Sequence, residues 1–117
     1  MKSIIFSYNR ACQLDLLIRS HKKFWGEDIV VSYMYSDDYF RAGYNKVRTR
    51  HPDVKFIHRV SLKEDILNEM TGEYTVFFCD DEIMIRPFSE EDTEFRIFTN
   101  DQFSYLCMYE FIYKGEK

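Results

Sequence analysis

Neither a glycine-rich phosphate cradle nor a cysteine pair occurs in this chain. With 4 glycines in 117 residues there is no GxGxxG and no GxxxxGK[ST], the loops that hold a dinucleotide or a nucleoside triphosphate on backbone amides. The three cysteines, Cys12, Cys79 and Cys107, are odd in number and scattered. Without a CxxC pair they argue against a disulfide framework and a cysteine-based zinc site, and predict free thiols in a reducing cytoplasm. No apolar run approaches the ~20 residues of a membrane span. The start, "MKSIIFSYNR", lacks a small-residue cleavage site and reads as a first strand rather than a signal peptide. Net positive charge is also missing: 16 Lys+Arg against 20 Asp+Glu give −4, whereas nucleic-acid binding needs a basic face. The one basic cluster, "KVRTR" at Lys46 to Arg50, has the spacing of a solvated helix flank.

What is present is a soluble, globular composition, 45% hydrophobic and 31% charged, of a length that suits one domain over residues 1–117. Some of the 9 tyrosines and 11 phenylalanines belong to the core, and so many tyrosines also suit a surface that stacks on rings.

Four strands alternate with three helices. "SIIFSY" (Ser3 to Tyr8) is β-prone; Asn9 can cap a helix in which Leu14, Leu17, Ile18, His21 and Trp25 recur at three and four, ending at Gly26. "DIVVSYMY" (Asp28 to Tyr35) is the second strand. Ser36 or Asp37 caps a helix with Phe40, Tyr44 and Val47 on one face, closed by Pro52. "VKFIHRV" (Val54 to Val60) is the third strand, and "SLKE" (Ser61 to Glu64) is a capping box for a helix reaching Gly72. "YTVFF" (Tyr74 to Phe78) is continuously apolar, as in a strand covered on both faces. Beyond Pro87, "SEEDTEFRIF" predicts a short helix capped by Ser89, and "FSYLCMYEFIY" (Phe103 to Tyr113) one last, antiparallel strand.

This β-α-β-α-β-α-β order predicts a Rossmann-like, mainly parallel sheet with helices on both faces. Right-handed crossovers give the strand order 3-2-1-4 and a switch point between strands one and four, where open α/β sheets bind ligands beyond the strands' carboxyl ends. Three polar clusters follow strand ends there: "SYNR" (Ser7 to Arg10), "SDD" (Ser36 to Asp38) and "DDE" (Asp80 to Glu82).

Three adjacent acids either end a strand at the surface or hold a cation, since like charges that close repel. Mg²⁺ and Mn²⁺ take oxygen ligands, often one or two carboxylates plus substrate phosphates. In an extended chain Asp80 and Glu82 would point one way and Asp81 the other. "SYNR" reads either as an N-cap with a flanking tyrosine or as a turn in which Tyr8 packs against a base and Arg10 sits near phosphate. An acid at Asp37 or Asp38 suits an imide N–H or a ribose hydroxyl, and Arg59 and Lys63 are candidates for a diphosphate. His21, His51 and His58 do not pair at ligand spacing, so no zinc site or Ser-His-Asp triad is assigned. Cys79 reads as a buried small hydrophobe.

"IIFSYNRACQLDLLIRSHKKFW", the strand ending "YSDD" and "YTVFFCDDEIMI" together resemble the nucleotide-binding half of GT-A fold glycosyltransferases, in the short forms of phages and large algal viruses. The resemblance spans roughly the first ninety residues and divides the chain into a nucleotide-sugar and metal-binding core at 1–88 and an incomplete acceptor side at 89–117. It implies nucleotide binding by Ser7, Tyr8, Asn9, Arg10, Asp37, Asp38, Asp80 and Asp81. It also implies Mn²⁺ or Mg²⁺ held by Asp80, Asp81 and Glu82 on the diphosphate of a UDP-sugar, and, if viral, a host cytoplasm. Glu82 departs from the usual final aspartate, and family members generally continue further. The tail offers Glu90, Glu91, Asp92, Glu94, Asp101 and Glu110 as bases and singles out none. An apolar last strand makes a poor bare edge, so the expectation is a second copy pairing there or a minimal or truncated enzyme. A nucleotidyltransferase or nucleotide-sugar hydrolase, and a non-catalytic interaction module, are the alternatives.

Overall fold

A computed structural model describes residues 2–26, 28–59, 62–70, 74–85 and 87, and the backbone of 103–107 and 110–114. Nine elements follow in chain order: β1 (Lys2–Tyr8), α1 (Ala11–Phe24), β2 (Ile29–Met34), α2 (Asp38–Arg50), β3 (Lys55–His58), α3 (Leu62–Glu69), β4 (Tyr74–Cys79), β5 (Phe103–Cys107) and β6 (Glu110–Lys114). The sheet order is β3-β2-β1-β4-β6-β5. Strands β1 to β4 are parallel, in the predicted order 3-2-1-4, with Ile5 opposite Val31 on one side and Phe78 on the other.

The strands alternate faces, and the parity explains the layers. Ile5, Val31, Tyr33, Val76 and Phe78 share one face and pack under Leu14, Leu17 and Ile18 of α1 and Tyr44 and Val47 of α2. Burying each such large side chain contributes about 1.5–3 kcal/mol. On the opposite parity, Lys2 of β1 and Lys55 of β3 both reach Glu69 of α3, which puts that helix across the other face. Helices α1 and α2 approach closely where Gly43 meets Ala11; a Cβ on Gly43 would lie 3.1 Å from the Ala11 Cβ.

Two expectations are corrected. The eleven-residue tail run is two strands: β6 pairs antiparallel with β4 and β5 pairs antiparallel with β6. A strand averages about 5–6 residues, and folding the run back lets both halves share one ladder, so the edge of β4 is covered by the chain's own β6. Asn9 does not cap α1. Arg10 is the N-cap residue, without a side-chain cap bond, and Asn9 stands at φ 54°, a conformation Asn tolerates better than most residues. The Ser89 helix and the Ser61 cap lie outside the described residues.

Candidate functional site

The carboxyl ends of β1 and β4 are joined by one carboxylate. Asp80, the first residue after β4, continues the inward parity of Val76 and Phe78, and Ser7 continues that of Ile5. Their side chains meet: Ser7 Oγ donates to Asp80 Oδ2 at 2.9 Å, and the Tyr8 amide donates to the same oxygen at 3.1 Å. Both Ser7 and Asp80 are buried. Asp80 Oδ1 faces the Arg10 guanidinium at 3.7 Å, and Asp81 Oδ2 lies 3.8 Å from the same nitrogen.

Residues 80 and 81 form a turn, not an extended segment. The Glu82 amide donates to the Cys79 carbonyl at 3.3 Å, and Glu82 Oε1 accepts from the Cys79 amide at 2.7 Å. The expected alternation of Asp80 with Glu82 is therefore replaced. The turn gathers Cys79, Asp81 and Glu82, whose ligand atoms lie within 4.8 Å of one another. Two carboxylates on an open rim fit Mg²⁺ or Mn²⁺, and a thiol is a softer donor that suits Mn²⁺ better than Mg²⁺. Cys79 is solvent-exposed rather than buried, because it alternates outward with Phe6 and Tyr8. Partial desolvation, then the charges of Glu82, Asp81 and Asp80, push its thiol up against the pull of Arg10, so it remains a protonated, weakly nucleophilic thiol at neutral pH.

An open cleft of about 360 Å³ runs along this rim, lined by Phe6, Ser7, Tyr8, Arg10, Arg59, Cys79, Asp80 and Asp81. Tyr8 is 54% exposed at its mouth. Arg59 lies over the Phe6 ring, 5.6 Å from guanidinium carbon to centroid, held by Nε to Ser32 Oγ and Nη2 to the Ser32 carbonyl, both at 3.1 Å. Six of the residues singled out from sequence thus converge: Ser7, Tyr8, Arg10, Arg59, Asp80 and Asp81. Glu82 joins through the turn.

The others stand apart. Asn9 Nδ2 donates to Ser36 Oγ at 3.0 Å and its Oδ1 accepts from the Ser36 amide at 2.9 Å, tying the rim loops after β1 and β2. Asp37 caps α2 by accepting from the Phe40 amide, and Asp38 pairs with Arg41; neither lines the cleft. The Lys63 side chain lies outside the described residues.

Sequence reading missed Tyr44. Its apolar spacing on α2 announced only a core ring, yet its hydroxyl touches Ser7 Oγ at 2.7 Å and accepts from the Arg10 amide at 3.2 Å. Burial, with Asp80 nearby, raises its ionisation above the usual tyrosine range despite those two hydrogen bonds. Only knowledge that α2 packs beside β1 would have exposed it.

The sequence matches no protein-family profile and no curated protein. Among solved structures the chain is similar to a mannosyltransferase from Pyrobaculum calidifontis in complex with GDP-Man and Mn²⁺, at 18% identity and a TM-score of 0.49. The likeness covers 69% of this chain and 27% of that one. A likeness at this level fixes neither the donor nor the chemistry. Among the described residues no helix is long and apolar enough to cross a membrane.

Proposed function

We propose that this rim binds the diphosphate of a nucleotide-sugar together with Mn²⁺ or Mg²⁺, and that the chain is the donor-binding core of a glycosyltransferase. The supporting observation is the junction at Asp80, which brings the "SYNR" bend and the acidic turn into one cleft. Arg10 and Arg59 supply two positive charges there, against three carboxylates from Asp80, Asp81 and Glu82. A diphosphate alone would meet net repulsion, whereas a divalent ion on Asp81 and Glu82 reverses the balance. Arg10, half-exposed between Asp80 and Asp81, is able to turn toward phosphate once a metal takes over Asp81. Tyr8 offers its ring to the base and Arg59 its guanidinium to the distal phosphate. When bound, the ion supplies Lewis-acid stabilisation of the departing diphosphate.

The donor we favour is UDP-linked, on the likeness of the "YNR" turn and "FFCDDE" to GT-A enzymes. Titration with Mn²⁺ and UDP, followed by calorimetry and melting shift, tests the site. Ligand at a hundred times Kd should add about 2.7 kcal/mol of stability, and no shift with UDP, GDP or Mn²⁺ would defeat the proposal. Screening UDP- and GDP-sugars for diphosphate release, with and without sugar acceptors, then separates transfer from hydrolysis.

Asp81→Ala should abolish metal-assisted UDP binding while moving unfolding free energy by less than about 0.5 kcal/mol, because Asp81 is exposed. Asp80→Ala should behave differently. It strips the Ser7 hydroxyl and the Tyr8 amide of their acceptor, costing about 1–3 kcal/mol in a urea melt.

A further inference from the structure

Resting on that reading of the cleft, we infer that Tyr44, from outside the rim, is a positioning residue for the metal-nucleotide site. Its hydroxyl orders a relay whose direction the chemistry dictates. Ser7 donates its single hydrogen to Asp80. Ser7 must therefore accept from Tyr44, and the Tyr44 oxygen is left to accept the Arg10 amide. Two consequences follow at the cleft. Asp80 Oδ2 is held inward, so Oδ1 is the oxygen turned to Arg10. The Arg10 amide, at an N-cap whose own side chain makes no cap bond, is held by Tyr44 at the point from which the guanidinium reaches both Asp80 and Asp81. Tyr44 is 0% exposed, so no water can replace its hydroxyl without opening the α2 packing, and phenylalanine would strip Ser7 Oγ of a donor and the Arg10 amide of its acceptor at once.

The test compares Tyr44→Phe, Ser7→Ala, the double variant, and Val47→Ala as a core control on the same helix. Free Mn²⁺ is followed by electron paramagnetic resonance, and UDP affinity by calorimetry at saturating Mn²⁺. Tyr44→Phe should keep the near-ultraviolet circular dichroism of a packed core and weaken Mn²⁺–UDP binding about tenfold, or about 1.4 kcal/mol. Ser7→Ala should weaken binding as well, and the double variant should lose less than the sum of the two, because both cut the branch through Ser7 to Asp80 while only Tyr44→Phe releases the Arg10 amide. Val47→Ala should melt earlier and bind as wild type. Wild-type affinity in Tyr44→Phe, additive losses in the double, or a loss in Val47→Ala matching its stability loss would each overturn the positioning role. Should Tyr44→Phe fail to fold, Ser7→Ala decides: undiminished binding overturns it. A wild type that takes Mn²⁺ and no nucleotide defeats the nucleotide-sugar proposal alone, and Mn²⁺ affinity then tests Tyr44; a wild type that takes neither defeats both.

Discussion

His21 shows how much one buried side chain can be asked to do. Its Nδ1 lies 2.7 Å from the Gly26 carbonyl, which can only accept, so Nδ1 carries the proton and Nε2 accepts from Ser3 Oγ at 2.7 Å. The ring stacks on Trp25 and meets the edge of Phe78. Burial, outweighing these hydrogen bonds and Asp28, holds its ionisation below the usual histidine value. A base depressed in the folded state stabilises the fold above its unfolded value of about 6.5, and that contribution is lost as pH falls through the folded value. Urea melts between pH 7.5 and 5 should therefore show stability declining as the buffer acidifies, with a flatter profile in His21→Gln. An unchanged profile would show that this ring does not govern the acid side of neutrality.

At the scale of elements, the tightest constraint is the crossing of α1 and α2. A Cβ added at Gly43 would crowd the Ala11 Cβ, so a side chain there requires the helices to give by a few tenths of an ångström. Gly43→Leu should cost about 1–3 kcal/mol by forcing the packed helices apart, read as a lowered midpoint in denaturant. Tyr44 sits beside it, so the same variant should weaken the Mn²⁺–UDP binding proposed for the rim as well.

The elements themselves were legible in the sequence. Leu14, Leu17, Ile18 and His21 announced the buried stripe of α1, and the run at Tyr74 a strand; both stand, and of Ser36 and Asp37, offered as caps of α2, Asp37 is the one that serves. Chain-crossing handedness then gave the order 3-2-1-4. What failed depended on partners distant in sequence. Asn9 looked like a cap because nothing local reveals Ser36 as its partner. Cys79 looked buried because its apolar neighbours do not show that its own parity faces the rim. The tail looked like one strand because an apolar run carries no mark of where it folds back.

The candidate site divides in the same way. Ser7, Tyr8, Arg10, Arg59, Asp80 and Asp81 were legible because strand ends on one rim must converge at a switch point. Tyr44 and the inward turn of Asp80 were not, because they depend on which helix face meets β1.

On the scale of the molecule, charge among the described residues gathers in partly buried knots, and one of them joins α1 to α2. Asp15, 3% exposed, accepts from His51 Nε2 and Arg19 at 2.8 Å and from Arg50 at 3.2 Å. Burial alone would raise its carboxyl, but the His51 hydrogen bond and the charges of Arg19, His51 and Arg50 prevail and hold it below the ordinary range. Lys22 approaches His51 Nδ1 at 3.2 Å and Asp53 at 2.7 Å, extending the knot. Glu69 follows the same pattern: burial is outweighed by Lys55 and Lys2, and its carboxyl is lowered. Depressed carboxylates stabilise above their unfolded values, about 3.9–4.3, and release that contribution as pH drops through the folded ones. A second loss of stability is expected below about pH 4, separate from the histidine limb. Asp15→Asn should shrink it in the same urea melts.

The bond between Ser7 and Asp80 spans 73 positions of sequence. Neither end can make a pocket alone, and β4 can take its place only after the chain has crossed back over β2 and β1. Partly assembled protein therefore has the local acidic turn but not the joined cleft. A ligand that needs both the turn and the Ser7–Arg10 bend would count only finished molecules.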